Sequence, residues 1–388
     1  MPQPIPKKIK ESNPEIGDKQ FTTLLVDGSN ILELSSLGDN TVSSNGKKVG
    51  GIFQFLLQIK ILLQKGNFRY VYVFWDGDNS GFYRFILNEN YKSNRDKSYD
   101  KEMTEPLSDY MKEFNANLKR MQNYIFKKQN KEKSDEKKKE KEIFYEQRDV
   151  VMQCLEELFI RQCVCDKVEA DDLIGYYVMN KKPNERIVIV SNDRDLTQLI
   201  DNDVIIYIQK MKKFINKRNH TAEIGYHYEN VLLKKMICGD SSDSIKGIKG
   251  VGEITLFKNF PQFKTRKVTL EEVIEGARKI NEERAQNKQK PLQWALNIVN
   301  RVTDGAQGEK IYEINEKIID LKHPLLTDEA KDLMKSMMHQ PMDPEGRSFE
   351  NLYKILMDAG IDEFKSETKF ANFFTEFKYL INRELKNS

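Results

Sequence analysis

Carboxylates at the ends of apolar runs are the residues here whose type and spacing could do chemistry. FTTLLVDGSN runs into Asp27, RYVYVFWDGD into Asp76, and IVIVSNDRD into Asp193 and Asp195. VEADD adds Glu169, Asp171 and Asp172, and CGDSSDS adds Asp240 and Asp243. One such acid is readily a turn residue or helix cap, but three within four residues exceed what capping needs. If all nine converge, repulsion and desolvation are severe unless cations neutralise them. Oxygen ligands with little His or Cys select a hard ion, Mg2+ or Mn2+. Two such ions about 4 Å apart suit in-line phosphodiester displacement.

The elements that would hold these acids follow from hydrophobic pattern. The three acid-ending runs read as strands buried on both faces. Between the first two, GGIFQFLLQIKILLQKG carries apolar residues at helical spacing. Strand, helix, strand in that order predicts a right-handed βαβ unit and a parallel sheet, with ligands at the carboxyl ends of the strands.

The chain has 388 residues, enough for two domains or one with large insertions. With 32% charged residues and no apolar run long enough to span a bilayer, a cytoplasmic protein without a membrane partner is expected. Residues 1–20 lack the apolar stretch of a secretory signal and read as a loose tail. Cys154, Cys163, Cys165 and Cys238 offer no second Cys or His pair to complete a zinc site, so they read as buried thiols in a reducing compartment. The four histidines are scattered and suggest neither a triad nor a metal cluster. Net charge is +3, from 63 basic and 60 acidic residues; setting the nine acids aside leaves 51 against 63, an excess of 12 positive charges elsewhere. An acidic pit in a basic surface suits a polyanion.

Two further segments fit such a substrate. In NSGFYRFILNENYKSNRDK, the cations Arg84, Lys92, Arg95 and Lys97 alternate with Phe82, Tyr83 and Tyr91. Cations can hold phosphates and rings can stack on unpaired bases; a solvated loop with core-facing aromatics would look the same. KKQNKEKSDEKKKEKE is a low-complexity polar stretch, read as an exposed helix or tether. Further on, Gly247, Lys249, Gly250 and Gly252 lie in a glycine-rich turn between two amphipathic helices. Glycine there could let backbone amides reach phosphates, or merely connect the helices. No G-x-x-x-x-G-K-[ST] loop supports an NTPase.

Taken in order, LLVDGSN, VFWDGD, YKSNR, VEADDLIG, VSNDRDLTQL and CGDSSDSIKGIKGVG resemble the flap endonuclease and 5′→3′ exonuclease family, most closely its T-even-phage branch. The resemblance covers about residues 21–260, with an echo at 352–361. It implies an α/β fold: a PIN-like parallel-sheet nuclease core over 21–225, with a helical arch or bridge near 79–150. A helical DNA-binding region over 226–388 would follow, with a helix-three-turn-helix clamp near 231–262. The resemblance further implies that Asp27, Asp76, Glu169 and Asp171 hold one Mg2+. Asp171, Asp193, Asp195 and Asp243 would surround a second, with Asp172 and Asp240 helping through water. Lys92 and Arg95 match the family's catalytic arch cations; Arg84, Tyr83 and Lys97 would contact DNA. Gly247, Lys249, Gly250 and Gly252 match the clamp hairpin, which in the family often binds K+ through its backbone. Implied partners are DNA and RNA–DNA duplexes with 5′ ends, nicks or flaps, and a single-strand-binding protein or sliding clamp, for a monomer in replication. Ser244 departs from the family's Asn at that position, and 262–345 matches no motif. Two other readings remain: a PIN-type single-strand ribonuclease, which needs no glycine clamp, and a structure-selective DNA-binding protein without turnover.

Overall fold

The computed structural model describes residues 22–38, 41–43, 46–93, 135–304, 308–343 and 345–385. The expected tail, Arg95, Lys97 and the middle of the expected arch lie outside the described residues. Six strands form the main sheet: β1 (Thr23–Asp27), β2 (Tyr70–Trp75), β3 (Arg161–Val164), β4 (Ile187–Val190), β5 (Val204–Ile208) and β6 (Lys213–Ile215). Their order is β3-β2-β1-β4-β5-β6, parallel except for the antiparallel β5–β6 edge. β1 therefore lies between β2 and β4: the chain runs from β1 to β2 and β3 on one side, then crosses from β3 to β4 on the other. That reversal opens a crevice at the carboxyl ends of β1 and β4, where Asp27 terminates β1.

Successive side chains on these strands enter opposite layers, as the two-residue period requires. Leu24, Val26, Val71, Val73, Trp75, Val188 and Val190 join one core, while Leu25, Tyr72, Phe74, Ile187 and Ile189 join the other. Helices Gly50–Lys65 and Asp135–Glu157 cover the first face. Helices Ala170–Met179 and Asp328–Met337 cover the second. A third core, built mainly from helices, spans Leu233 to Tyr312.

The C-terminal third is less uniform than the sequence suggests. Residues Leu352–Leu380 pack Phe364, Phe373, Phe374 and Phe377 onto the first face of the sheet, not onto the helical region. Aromatic residues at helical spacing carry no mark of which core they will join, and this separation was not visible in the pattern. No helix among the described residues is long and apolar enough to cross a membrane.

Candidate metal centre

Asp27 leaves β1 with both carboxylate oxygens engaged: Oδ1 accepts from the Asn30 amide at 3.1 Å and Oδ2 from Ser191 Oγ at 2.7 Å, across the β1–β4 crevice. Ser191 Oγ also accepts from the Asp193 amide at 3.0 Å, and Asp193 in turn accepts from the Asp195 amide at 2.8 Å. Asp76 Oδ1 accepts from the Ala170 amide at 2.9 Å, tying the end of β2 to the first turn of the helix that bears Asp171. The loop after Asp76 lies tight against the turn before Glu169: a Cβ on Gly77 would sit 1.6 Å from the Cys165 carbonyl oxygen, so only glycine fits.

These acids feel one another. Burial, then repulsion from Asp76 and Asp193, lifts Asp27 to about 7 against the hydrogen bonds that favour its charge. Asp171 is raised well above the carboxylate range by burial and then by Asp193, Asp27 and Asp76. Among the described residues, no ammonium or guanidinium is ion-paired with Asp27, Asp76, Asp171 or Asp193. Among the described residues, Lys92 is a cation that acts on the group, lowering Asp171 against burial and three neighbouring carboxylates.

A second group faces it. Asp195, Asp240 and Asp243 present carboxylate oxygens all within 4.8 Å of one another. Asp195 comes from the turn after β4, the other two from the loop between helix Val231–Cys238 and the glycine turn. The Lys235 ammonium pairs with both Asp195 and Asp240. Burial and Asp193 raise Asp195 to about 6 despite Lys235. Burial would raise Asp240 too, but Lys235 and the Ser242 donors hold it at about 2. Lys235 was missed in the sequence. Its only signal is a charged pair, Lys234–Lys235, inside the apolar helix VLLKKMIC, five residues before Asp240.

Between the groups lies a buried ion cluster built on Arg84, Glu169, Asp172 and Lys92. Arg84 is 5% exposed and does not face a nucleic-acid surface. Its guanidinium binds Glu169 Oε2 at 2.7 Å and both oxygens of Asp172. Asp172, 1% exposed, also accepts from the Leu325 amide at 3.0 Å and is the counter-charge of Arg84. Glu169 is shared: Arg84 and the Tyr91 hydroxyl hold Oε2, and the Lys92 ammonium holds Oε1. Lys92 also donates its amide to the Asp243 carbonyl at 2.7 Å, so it links the two acid groups. Tyr83 is half-buried, its phenol lifted to about 12 by burial and then by Glu329, Asp166 and Asp328; its neighbourhood is acidic.

In the glycine turn the three glycines differ. A Cβ on Gly247 would lie 2.2 Å from the Cys238 backbone, so this residue serves close packing. Gly250 takes φ +77°, and Gly252 faces open space. Lys249 is exposed and pairs with Asp304 at 3.0 Å.

The donor set is all carboxylate and crowded, and burial, followed by mutual repulsion, raises Asp27, Asp171 and Asp195. It fits hard divalent cations and offers no soft ligand. Among the described residues, Asp195, Asp240 and Asp243 lie close enough to share one cation, while Asp27, Asp76, Asp171 and Asp193 lie close enough for their charges to act on one another.

Residues 22–225 match the family model described as 5′-3′ exonuclease, N-terminal resolvase-like domain. The chain belongs to the 5′-3′ exonuclease family. Curated members include a 5′-3′ exonuclease of Buchnera aphidicola subsp. Schizaphis graminum, 27% identical over 63% of this chain and 73% of its own length. Another from Mycoplasmopsis pulmonis is 40% identical over 22% of this chain and 29% of its own length. The chain thus spans well under half the length of the first curated relatives it matches, 29% and 38%. Among solved structures, a zinc-bound bacteriophage T5 5′-exonuclease aligns over 87% of this chain and 98% of its own, with TM-score 0.55 and 17% identity. A bacteriophage T5 flap endonuclease in complex with DNA and metal ions covers 92% and 99%, with TM-score 0.53 and 15% identity. These likenesses place the fold within the family's architecture.

Proposed function

We propose that the chain is a structure-selective 5′ nuclease that hydrolyses phosphodiester bonds in DNA or RNA–DNA duplexes at 5′ ends, nicks or flaps. The observation that carries this reading is the convergence of two carboxylate groups from separate segments on one crevice, in a family of 5′-3′ exonucleases. Mg2+, or Mn2+, is the cofactor the donor set suits. Bound there, such ions would supply an activated water and charge stabilisation for an in-line displacement.

The chain's own residues would do the rest. Ser191 and the Asn30 amide fix the Asp27 rotamer, and Asp193 orients the turn that presents Asp195. Lys92, at the border of the two acid groups, is assigned to a non-bridging phosphate oxygen whose charge grows in the transition state. The open backbone at Gly250 and Gly252, with Lys249 beside it, is assigned to the duplex backbone and to a K+ held there. The T-even-phage likeness, a monomer acting in the cytoplasm, and a single-strand-binding protein or sliding clamp as partner belong to the same reading.

The test uses end-labelled flap, nicked and single-stranded substrates with Mg2+ titrated from zero. The parent should release 5′-phosphorylated products from flap and nick, while Asp193→Asn combined with Asp195→Asn should abolish cleavage and keep junction binding. Cleavage that persists in the double variant would refute the metal assignment; equal cleavage of single strands would favour a PIN-type ribonuclease.

A further inference from the structure

Residues 315–325 contain none of the nine acids, yet they touch the supports of three acid-bearing segments: the Asp171 helix, the Asp193–Asp195 turn and the Asp240–Asp243 loop. Asn315, fully buried, donates from Nδ2 to the carbonyls of Met236 at 3.1 Å and Lys246 at 2.8 Å. Those two residues flank the loop that carries Asp240 and Asp243. Gln198, on the turn behind Asp193 and Asp195, donates to the Ile319 carbonyl at 3.0 Å and accepts from the Leu321 amide at 3.2 Å. The Asp171 helix meets the same stretch twice. Asp172 accepts from the Leu325 amide, and the Leu321 carbonyl lies where a Cβ on Gly175 would come within 2.3 Å. Arg84 Nε donates to the Ile318 carbonyl at 2.8 Å while its other nitrogens hold Glu169 and Asp172.

Most of these contacts read the backbone of 318–325, not its side chains. The path of the stretch is therefore constrained through its main chain, while Ile318, Ile319 and Leu321 are also anchored by burial. No strand ladder joins Asp195 to the Asp240–Asp243 loop. Lys235 bridges them as a point charge, which fixes distance loosely, whereas buried amide hydrogen bonds are directional.

We propose that residues 315–325 form a strap that sets the separation between the Asp27–Asp76–Asp171–Asp193 group and the Asp195–Asp240–Asp243 group, with Gln198 and Asn315 as its positioning residues. The proposal rests on the nuclease reading and deepens it: the segment with no family motif tunes the second ion's site. Partners that orient ligands from behind typically change metal affinity 10- to 100-fold when removed.

The experiment uses the full chain. Gln198→Met and Asn315→Leu keep volume and delete the hydrogen bonds. A single glycine inserted between the exposed residues Lys322 and His323 keeps the bonding groups and changes the strap length. Each variant is compared with the parent in calorimetric Mn2+ titration, flap binding in EDTA, and cleavage as a function of Mn2+. Expected are unchanged flap binding, one Mn2+ site weakened about 10- to 100-fold, a lower kcat with KM for the flap within about twofold, and recovery of rate at high Mn2+. A general loss of packing would not be rescued by metal. Parental affinity at both sites in the folded variants would overturn the strap, as would a rate that stays low at saturating Mn2+. Should Gln198→Met fail to fold, Asn315→Leu and the insertion carry the same readout. A parent chain that binds no Mn2+ would overturn the nuclease reading itself; variants that match a metal-binding parent would overturn the strap alone.

Discussion

Arg84 and Lys92 reach the same carboxylate and do different work. The Arg84 side chain is enclosed between Glu169, Asp172 and a main-chain carbonyl, whereas Lys92 lies at the edge where the two acid groups meet. Removing one partner of a buried ion cluster leaves charge without compensation, at a cost of about 3–5 kcal/mol. Arg84→Ala should therefore lower the chemical-denaturation stability by that order, and an unchanged midpoint would refute its structural role. Lys92→Ala should instead lower single-turnover cleavage by about 100- to 1,000-fold while flap affinity in EDTA stays near the parent's. Parallel losses in rate and affinity would reduce Lys92 to a tether. The sequence pointed to both cations but could not separate them. FYRFIL forms a six-residue helix, too short for periodicity to say which face Arg84 takes. Nor could the sequence show that Asp172 pairs with Arg84: adjacent acids in a first helical turn point in different directions.

Among the elements, the strands were the most legible. Continuous apolar runs ending in acid are a strong sign of a parallel sheet, and Asp27, Asp76 and Asp193 stand at the carboxyl edge because the strands beneath them are dry and fixed. Less visible was what closes the opposite edge. Glu185 accepts from Thr23 Oγ1 at 2.5 Å, Tyr177 at 2.9 Å, the Lys182 amide at 2.9 Å and His339 Nε2 at 2.7 Å, joining the start of β1 to residue 339. Burial alone would raise Glu185, yet the donors from His339, Thr23 and the Lys182 amide bring it to about 2. Its folded pKa lies below the ordinary 4.5, so its stabilisation is complete above that value and disappears as pH falls toward 2. The stability gap between the parent and Glu185→Gln, read as denaturant midpoint at pH 7, 4 and 2.5, should shrink on acidification. A gap that widens would contradict the assignment. Two of these contacts, from Thr23 and His339, join residues more than 150 positions apart, and local pattern holds no record of them.

At the scale of the molecule, the sheet core and the helical region of residues 231–312 meet where the acids crowd, and the stretch that links their supports is the one that matched no motif. Its silence in sequence has a physical cause, since Gln198, Asp172 and Arg84 engage its main chain and any residue supplies a carbonyl or an amide. Burial and mutual repulsion among Asp27, Asp76, Asp171 and Asp193 cost stability, a condition that divalent ions would relieve. The most direct measurement is the melting temperature of the full chain in EDTA and with Mg2+ or Mn2+ titrated in, for the parent and for Asp171→Asn. The account predicts that the metal ion raises the parent's melting temperature saturably, and that Asp171→Asn melts higher than the parent in EDTA and gains less from the ion. A parent indifferent to divalent ions, or an Asp171→Asn chain that is destabilised in EDTA, would contradict it.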